Sequence, residues 1–289
     1  YNLMLTPKGF VSDDMTMTRL DDDAFYVVAP AASELLLLQH MEDHLPLDGT
    51  VTVENVTDRY GVLTVVGPQS RALLSKLTDT DLGSEHFPYL SWQNIQVSGL
   101  PVRAMRVNFV GELGWELHHE PIYQRQIYQK IAEAGLEFGL VNCGMRAVLG
   151  SMRLEKGYML APDICGEETP FQAGLEFFVK MDKGDFIGRA ALEEHKTRGA
   201  PTRLVTLVVE AGDADAIGEE SIWNGDDIVG RVTSGGWGHR VGSSLALAYI
   251  DTQLSEPGTR VAVEILNEKR PATVVQTPYY DPKNMKLRA

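Results

Sequence analysis

The stretch Phe109-Val110-Gly111-Glu112-Leu113-Gly114-Trp115-Glu116-Leu117-His118, near the middle of the chain, contains the local pattern from which the fold can be worked out. It reads as a strand that is broken at Gly111 and Gly114 and then resumes, because glycine lets the backbone turn tightly or approach a ligand. Glu116 stands between two large apolar residues in a run that should be half buried. Its carboxylate therefore needs a partner, either a structural arginine or a donor on a ligand. The alternative is a glycine hairpin with an exposed glutamate.

On both sides of this stretch, strand pairs alternate with helices. Apolar residues at helical spacing predict helices, and alternation of apolar and polar residues predicts strands. The predicted strands are at 1–5, 15–20, 25–28, 51–57, 60–66, 102–109 and 115–118, with an acidic hairpin turn at 21–23. The predicted helices are at 31–43, 68–77, 123–134 and 147–155. This mixture indicates an α+β domain.

The pattern changes near residues 197–202, where Arg198-Gly199-Ala200-Pro201 reads as a linker. Beyond it the sequence predicts only strands and turns, at 204–209, 221–223, 228–233, 244–250, 261–265 and 272–275. That pattern is typical of a small all-β barrel or sandwich. The predicted domains are therefore 1–198 and 199–289.

Two adjacent carboxylates, Asp13 and Asp14, follow the turn at Thr6-Pro7-Lys8-Gly9. Neighbouring residues of a strand point to opposite faces, so only one of the two can face a shared pocket. A pocket carboxylate can hydrogen-bond an amine or move a proton, and burial would tune its pKa. The alternative is a solvated acidic turn.

Two further stretches are candidates for chemistry. Arg146 and Arg153 are seven positions apart and are expected to share a helical face, where they could bind a carboxylate or simply pair with nearby acids. The stretch 230–239 is so rich in glycine that we expect a loop at the mouth of the barrel rather than the interior of a strand. It lacks the spacing of a phosphate-binding loop.

Composition narrows the range of partners. The 289 residues carry a formal net charge of −14, which argues against nucleic acid and against anionic membrane surfaces. No apolar run is long enough to cross a bilayer, and neither zinc spacing nor another metal motif is present, so no metal site is predicted.

Cys143 and Cys165 are expected to be thiols in a cytosolic protein. The start at Tyr1, without an initiator methionine or signal peptide, suggests part of a longer product.

Taken in order, the motifs of the chain resemble those of the aminomethyltransferase family, the T-protein of the glycine cleavage system. The matching stretches are Met4-Leu5-Thr6-Pro7-Lys8-Gly9 with Asp13-Asp14, Gly67-Pro68-Gln69-Ser70, Gly111 to Leu117, Arg153 to Tyr158, Thr169 to Leu175, Lys183 to Arg189, Arg231 to Gly235, and Pro278-Tyr279-Tyr280. Each match is weak, but eight in order across nearly the whole chain make a specific pattern.

Within that family, the chain resembles the C-terminal folate-binding half of dimethylglycine and sarcosine dehydrogenases. That resemblance rests on the particular form of two family motifs, at Arg153 to Tyr158 and at Gly235-Gly236-Trp237-Gly238-His239. It implies the aminomethyltransferase folate-binding fold, N-terminally incomplete, followed by the barrel. It also implies tetrahydrofolate as cofactor, with FAD only on a missing domain or a partner, because this chain has no dinucleotide fingerprint.

The resemblance also implies roles for individual residues. Asp14 matches the family's key carboxylate near N5 and N10 of the folate, with Asp13 beside it, and Tyr1 matches an aromatic contact. Glu116 matches the acid that hydrogen-bonds the pterin ring. Phe109 stands where the family often has tyrosine.

Other matched positions concern the rim of the site. Phe177 falls at an aromatic position of the family. Leu149 replaces an arginine of the glycine-cleavage members, so the glutamate tail of the folate is expected to be held differently, by Arg146 or by Lys286 and Arg288.

The implied activity is capture of a one-carbon unit from a methylated amine, of the dimethylglycine or sarcosine type, as methylene-tetrahydrofolate. A flavoprotein domain or subunit would be the partner, and the location cytoplasmic, or the mitochondrial matrix in a eukaryote. Two alternatives remain open: a methyltransferase or demethylase acting directly on a sulfonium, ether or amine donor, and a folate-binding protein without catalysis. Against the latter, the segment 155–163 lacks the cysteine of the iron–sulfur assembly relatives.

Overall fold

The computed structural model describes residues 1–289, which form two compact units. The first unit contains Tyr1–Val53 and Gly157–Tyr280, and the second contains Glu54–Lys156 and Asp281–Ala289. Each unit combines segments that are separated in sequence, whereas the predicted domains 1–198 and 199–289 are continuous stretches of chain. The division into those two domains stays a prediction. No helix is long and apolar enough to span a membrane.

The first unit begins with a three-stranded antiparallel sheet. Its strands are β1 (Asn2–Leu5), β2 (Val11–Arg19) and β3 (Phe25–Val28), in that order. Helix α1 (Glu34–Asp43) covers the sheet, and Leu37 packs with Met4 and Met15 in a small core. The strands, the acidic turn and this helix agree with the sequence prediction.

The second unit is built on a four-stranded antiparallel sheet in the order β4-β7-β6-β5. The strands are β4 (Gly61–Val66), β5 (Trp92–Val97), β6 (Leu100–Met105) and β7 (Gly114–His119). Helices α2 (Ser70–Leu74) and α3 (Gln124–Gly135) cover one face, where Trp115 and Leu117 are fully buried in the core. A π-helix (Arg146–Met152) leads directly into the short helix α4 (Arg153–Glu155).

The remainder of the first unit contains two helices and the barrel. The helices are α5 (Ala161–Ile164) and α6 (Arg189–Arg198). The strands are β8 (Thr202–Val209), β9 (Ser221–Asn224), β10 (Asp227–Gly238), β11 (Ser243–Asp251), β12 (Arg260–Ile265) and β13 (Glu268–Val275). They close in the order β10-β11-β8-β13-β12-β9, so the predicted barrel is confirmed.

Two sequence predictions about local structure are wrong. The expected strand at 51–57 is irregular chain followed by a 3₁₀ turn, and β4 pairs instead with β7, which is distant in sequence. The glycine-rich stretch 230–239 lies mostly in strand β10 rather than in a loop. A Cβ atom on Gly230 would lie 2.1 Å from the carbonyl oxygen of Tyr249, and one on Gly235 would lie 2.2 Å from that of Ala216. The glycines therefore permit close approach of neighbouring backbone, which a strand can use as readily as a loop.

Candidate functional site

The two adjacent carboxylates lie in strand β2, on opposite sides of the sheet. Asp13 is buried at 2% exposure, together with Val11 and Met15 on the same side, while Asp14 is half buried. Cross-strand pairing places Asp14 opposite Leu3 of β1. The alternation that the sequence predicted is therefore present, although the inner of the two carboxylates is Asp13.

Asp13 has one carboxylate oxygen with a partner and one without. Its Oδ1 accepts a hydrogen bond of 2.9 Å from the backbone N–H of Asp14. Its Oδ2 is buried and has no hydrogen-bond partner in the protein. A buried carboxylate oxygen is costly unless a donor reaches it, so this atom marks a position for an N–H or O–H group of a ligand or a bound water.

Asp14 lies in an environment suited to holding a proton. Burial raises the pKa of its carboxyl, a hydrogen bond from the Tyr1 hydroxyl opposes that rise, and the nearby charge of Asp13 adds to it. Burial and the neighbouring Asp14 raise the pKa of the Tyr1 hydroxyl, which therefore remains a donor. A carboxyl with a raised pKa can exchange a proton at a pH closer to neutrality than an exposed aspartate can.

Aromatic side chains stand beside Tyr1. The ring of Phe178 lies 4.9 Å from that of Tyr1, edge to face, and the ring of Phe177 lies 5.4 Å from that of Phe178. Phe177 is 75% exposed, so its ring is available to a ligand or partner. Sequence reasoning selected Phe177 and missed Phe178, although two adjacent phenylalanines are a visible signal.

Cys165 also adjoins the carboxylate pair. Burial, then the charges of Asp13, Asp14 and Glu168, raise the pKa of its thiol to about 11. The thiol is therefore protonated at neutral pH and is a poor nucleophile. Its position indicates part of the wall around the carboxylates rather than a reactive group, and sequence reasoning had treated it only as an ordinary thiol.

The barrel holds the segment that carries Cys165. The buried carboxylate of Asp163 accepts hydrogen bonds from the hydroxyls of Thr233 (2.5 Å) and Ser234 (2.7 Å), both on β10. The Tyr249 hydroxyl donates to the Asp163 carbonyl at 2.8 Å. The Thr-Ser pair of the glycine-rich stretch thus anchors helix α5 and is not a ligand loop.

A second link joins the barrel to strand β2. The guanidinium of Arg231 lies 2.6 Å from the Glu168 carboxylate, and the Glu168 carbonyl accepts a 3.0 Å hydrogen bond from the backbone N–H of Val11. Val11 is the first residue of β2, two positions before Asp13. The barrel therefore helps to fix the strand that presents the carboxylate pair.

In the second unit, Glu116 lies on β7 with its side chain 24% exposed. Its partner in the protein is His118, whose Nε2 lies 3.4 Å from Glu116 Oε2. The preceding glycines have separate roles. Gly111 has a φ of 73° in a turn closed by the Asn108 side chain, while a Cβ atom on Gly114 would lie 2.6 Å from the carbonyl oxygen of Val65.

The other candidate residues of the second unit differ in exposure. Phe109 is partly exposed in the segment between β6 and β7. Arg146 is exposed at the start of the π-helix, whereas Arg153 is 4% exposed and donates to the Leu149 carbonyl at 2.6 Å. The expectation that the two arginines share a helical face is wrong, because the wider π-helical turn changes the direction of residues seven apart.

The predicted residues thus divide between the two units. Tyr1, Asp13 and Asp14 come together in the first unit, and Phe177 joins them through Phe178. Phe109, Glu116 and Arg146 belong to the second unit.

Comparison with known proteins decides the family. Residues 1–183 match the family model described as the GCVT N-terminal domain, and residues 202–281 match the glycine cleavage T-protein C-terminal barrel domain. The chain belongs to the aminomethyltransferase, or glycine cleavage T-protein, family. The family and the activity type predicted from the sequence, a folate-dependent one-carbon transferase domain, are confirmed.

Individual relatives agree with this assignment. The chain is 41% identical over 278 residues to dimethylglycine dehydrogenase from Mus musculus, covering 95% of this chain and 32% of that protein. It is 32% identical over 287 residues to an aminomethyltransferase from Thermoanaerobacter, covering 99% of this chain and 77% of that one. The chain therefore spans about a third of the length of the dimethylglycine dehydrogenase.

A solved structure confirms the aminomethyltransferase fold. The glycine cleavage system aminomethyltransferase T from Bartonella henselae superposes with a TM-score of 0.82 at 23% identity. The superposition covers 97% of this chain and 75% of that one.

Proposed function

We propose that the chain is the tetrahydrofolate-binding part of an enzyme that removes a methyl group from an N-methyl amine of the dimethylglycine type. The carbon would be captured as methylene-tetrahydrofolate, and a flavin-containing domain or subunit would oxidise the amine. The carboxylate pair in β2 carries the proposal, because it combines a buried oxygen without a partner with a carboxyl of raised pKa. The 41% identity to a dimethylglycine dehydrogenase supports this donor class.

The residues present fit a reduced folate. Its pterin carries several N–H groups on a flat ring, which suits carboxylate acceptors beside aromatic side chains. Asp13 Oδ2 is a buried acceptor in need of a donor, and the ring of Tyr1, whose hydroxyl hydrogen-bonds Asp14, packs against the ring of Phe178. Glu116 offers another acceptor, because its Oε1 has no hydrogen bond in the protein. When bound, tetrahydrofolate supplies nitrogen nucleophiles that take up carbon at the oxidation level of formaldehyde.

The protein's own contribution is to orient, to shield and to move a proton. Asp14, with its raised pKa, would hold or release a proton close to the reacting nitrogen and stabilise positive charge that develops there. Glu116 would fix the ring through an accepted hydrogen bond, as the family resemblance implies, and such orientation supplies proximity. The half-buried setting of Asp14 would limit the access of water, to which a formaldehyde-level carbon is easily lost.

How the glutamate tail of the folate is held stays a prediction. Arg146, Lys286 and Arg288 are all exposed, so each can reach an anionic group in solvent. Exposed ion pairs of this kind contribute little affinity individually.

Calorimetric titration of the chain with tetrahydrofolate tests the proposal. We expect the wild-type chain to bind and Glu116→Gln to bind about tenfold more weakly, because it loses a charge-assisted hydrogen bond. Asp14→Asn should bind but no longer form methylene-tetrahydrofolate. Asp21→Asn, an exposed acid in the β2–β3 turn, is the matched control. Absence of binding by the wild-type chain would sink the proposal.

Turnover assays separate the alternatives. With a flavoprotein partner and dimethylglycine, Asp14→Asn should release free formaldehyde in place of methylene-tetrahydrofolate. Formation of methyl-tetrahydrofolate from a sulfonium or ether donor, without a flavin, would instead favour direct methyl transfer. Normal turnover by Asp14→Asn would remove the catalytic role of Asp14 alone.

A further inference from the structure

We propose that His118 is a positioning residue that sets the direction of the Glu116 carboxylate, and through it the orientation of the folate ring. The inference rests on the proposed function, in which Glu116 binds that ring. The two residues are two positions apart on β7, so their side chains project from the same face of the sheet. His118 Nε2 lies 3.4 Å from Glu116 Oε2.

His118 itself is firmly held. Its side chain is only 1% exposed, compared with 24% for Glu116. Val62 on β4 and Arg103 on β6 are its cross-strand partners. Because strands flank it on both sides and almost none of its ring reaches solvent, the imidazole has little freedom to change rotamer.

Arg103 is also fixed, which stabilises this arrangement. Its guanidinium lies 5.5 Å from the ring centre of Tyr60 and 5.7 Å from that of Trp92, within the range of cation–π attraction. It stands directly opposite His118 in the β6–β7 pairing. The histidine is therefore part of a packed polar row across the sheet and not a mobile surface group.

The consequence for Glu116 is that its two oxygens differ. A carboxylate only accepts hydrogen bonds, so the proton shared with Oε2 is carried by His118 Nε2. Oε1 has no partner in the protein and is left for the ligand. Without the histidine, the glutamate could adopt several rotamers, and binding would have to order it at an entropic cost.

A double-mutant cycle measured by calorimetry with tetrahydrofolate tests this role. His118→Phe keeps a ring but removes the donor, and we expect affinity to fall about tenfold, the lower end for a hydrogen bond to a charged group because 3.4 Å is long. In the Glu116→Gln background the same substitution should cause less than about a threefold further loss. A loss of equal size in both backgrounds would show that His118 acts only through general packing and would overturn the inference.

A second pair of variants decides the question if His118→Phe does not fold. The amide nitrogen of glutamine can reach the position of Nε2, whereas that of asparagine is too short. We therefore expect His118→Gln to bind within about threefold of wild type and His118→Asn to bind about tenfold more weakly. Equal affinities of these two variants would overturn the inference.

The outcomes also distinguish this inference from the function on which it rests. If Glu116→Gln alone leaves the affinity unchanged, the proposed role of Glu116 fails. If Glu116→Gln weakens binding while no His118 variant does, only the positioning role fails.

Discussion

Replacing Asp163 by asparagine tests how firmly the barrel holds the segment beside the carboxylate pair. The side chain is fully buried, at 0% exposure. Its Oδ1 accepts from the hydroxyls of Thr233 and Ser234, and its Oδ2 accepts from the backbone N–H of Leu160 at 2.8 Å. Asparagine has nearly the same shape, so the substitution changes hydrogen bonding and charge while leaving the packing in place.

The size of the effect follows from these contacts. The amide oxygen of asparagine can accept from the two hydroxyls in place of Oδ1. The amide nitrogen then faces the backbone N–H of Leu160, so two donors meet and neither has an acceptor. A hydrogen bond to a charged group contributes about 1.5–3 kcal/mol, and a buried donor left without an acceptor costs about 1–3 kcal/mol. We therefore expect Asp163→Asn to lower the free energy of unfolding by about 3 kcal/mol.

Urea denaturation followed by circular dichroism measures this loss. Thr233→Val, which removes one donor at nearly constant volume, should cost less, about 1–2 kcal/mol. Asp226→Asn, in the exposed turn between β9 and β10, is the control and should change stability by less than about 0.5 kcal/mol. If Asp163→Asn were as stable as the Asp226 control, the reasoning about this buried network would be refuted.

Two further predictions concern the carboxylate pair and the barrel. Asp14→Asn should raise the free energy of unfolding at neutral pH, because burial raises the pKa of Asp14 and the folded state therefore disfavours the ionised carboxylate. This gain in stability should shrink as the pH is lowered towards that pKa. A gain that grew on acidification, measured by urea denaturation at several pH values, would contradict the prediction. Gly235→Ala should lower stability by about 1–3 kcal/mol in thermal unfolding, because the new Cβ would lie 2.2 Å from the Ala216 carbonyl oxygen. Gly184→Ala, with no atom within 4 Å of the new Cβ, is its control, and an equal loss in both variants would remove the steric explanation.

Local patterns predicted which segments form strands more reliably than which strands pair with each other. The hairpin of β2 and β3, with its acidic turn at 21–23, was predicted because alternation and turn residues lie within one short segment. The barrel strands were also predicted from local alternation and turns, although β8 pairs with β11 and β13, which are distant in sequence. The expected pair of strands at 51–57 and 60–66 was wrong, because β4 pairs with the distant strand β7 and no local signal reveals such a partner.

The glycine-rich stretch shows a second limit of local reasoning. Dense glycine between 230 and 239 predicted a loop, since glycine weakens strands in general. In the barrel, Gly230 and Gly235 face backbone carbonyls of Tyr249 and Ala216 at distances that exclude any side chain. Only the packing of neighbouring elements shows that glycine is required there by close approach and not by a turn.

The sequence by itself determined the family, through the order of its motifs, and the separation of Asp13 and Asp14 onto opposite faces of a strand, because side-chain alternation is a local property of extended chain. Only the tertiary structure decided that Asp13 Oδ2 lacks a partner, that the pKa of Asp14 is raised and that the side chain next to the Glu116 carboxylate is a histidine rather than an arginine. Desolvation and hydrogen bonding depend on which groups approach through space, and burial around the pair comes from elements far apart in the chain.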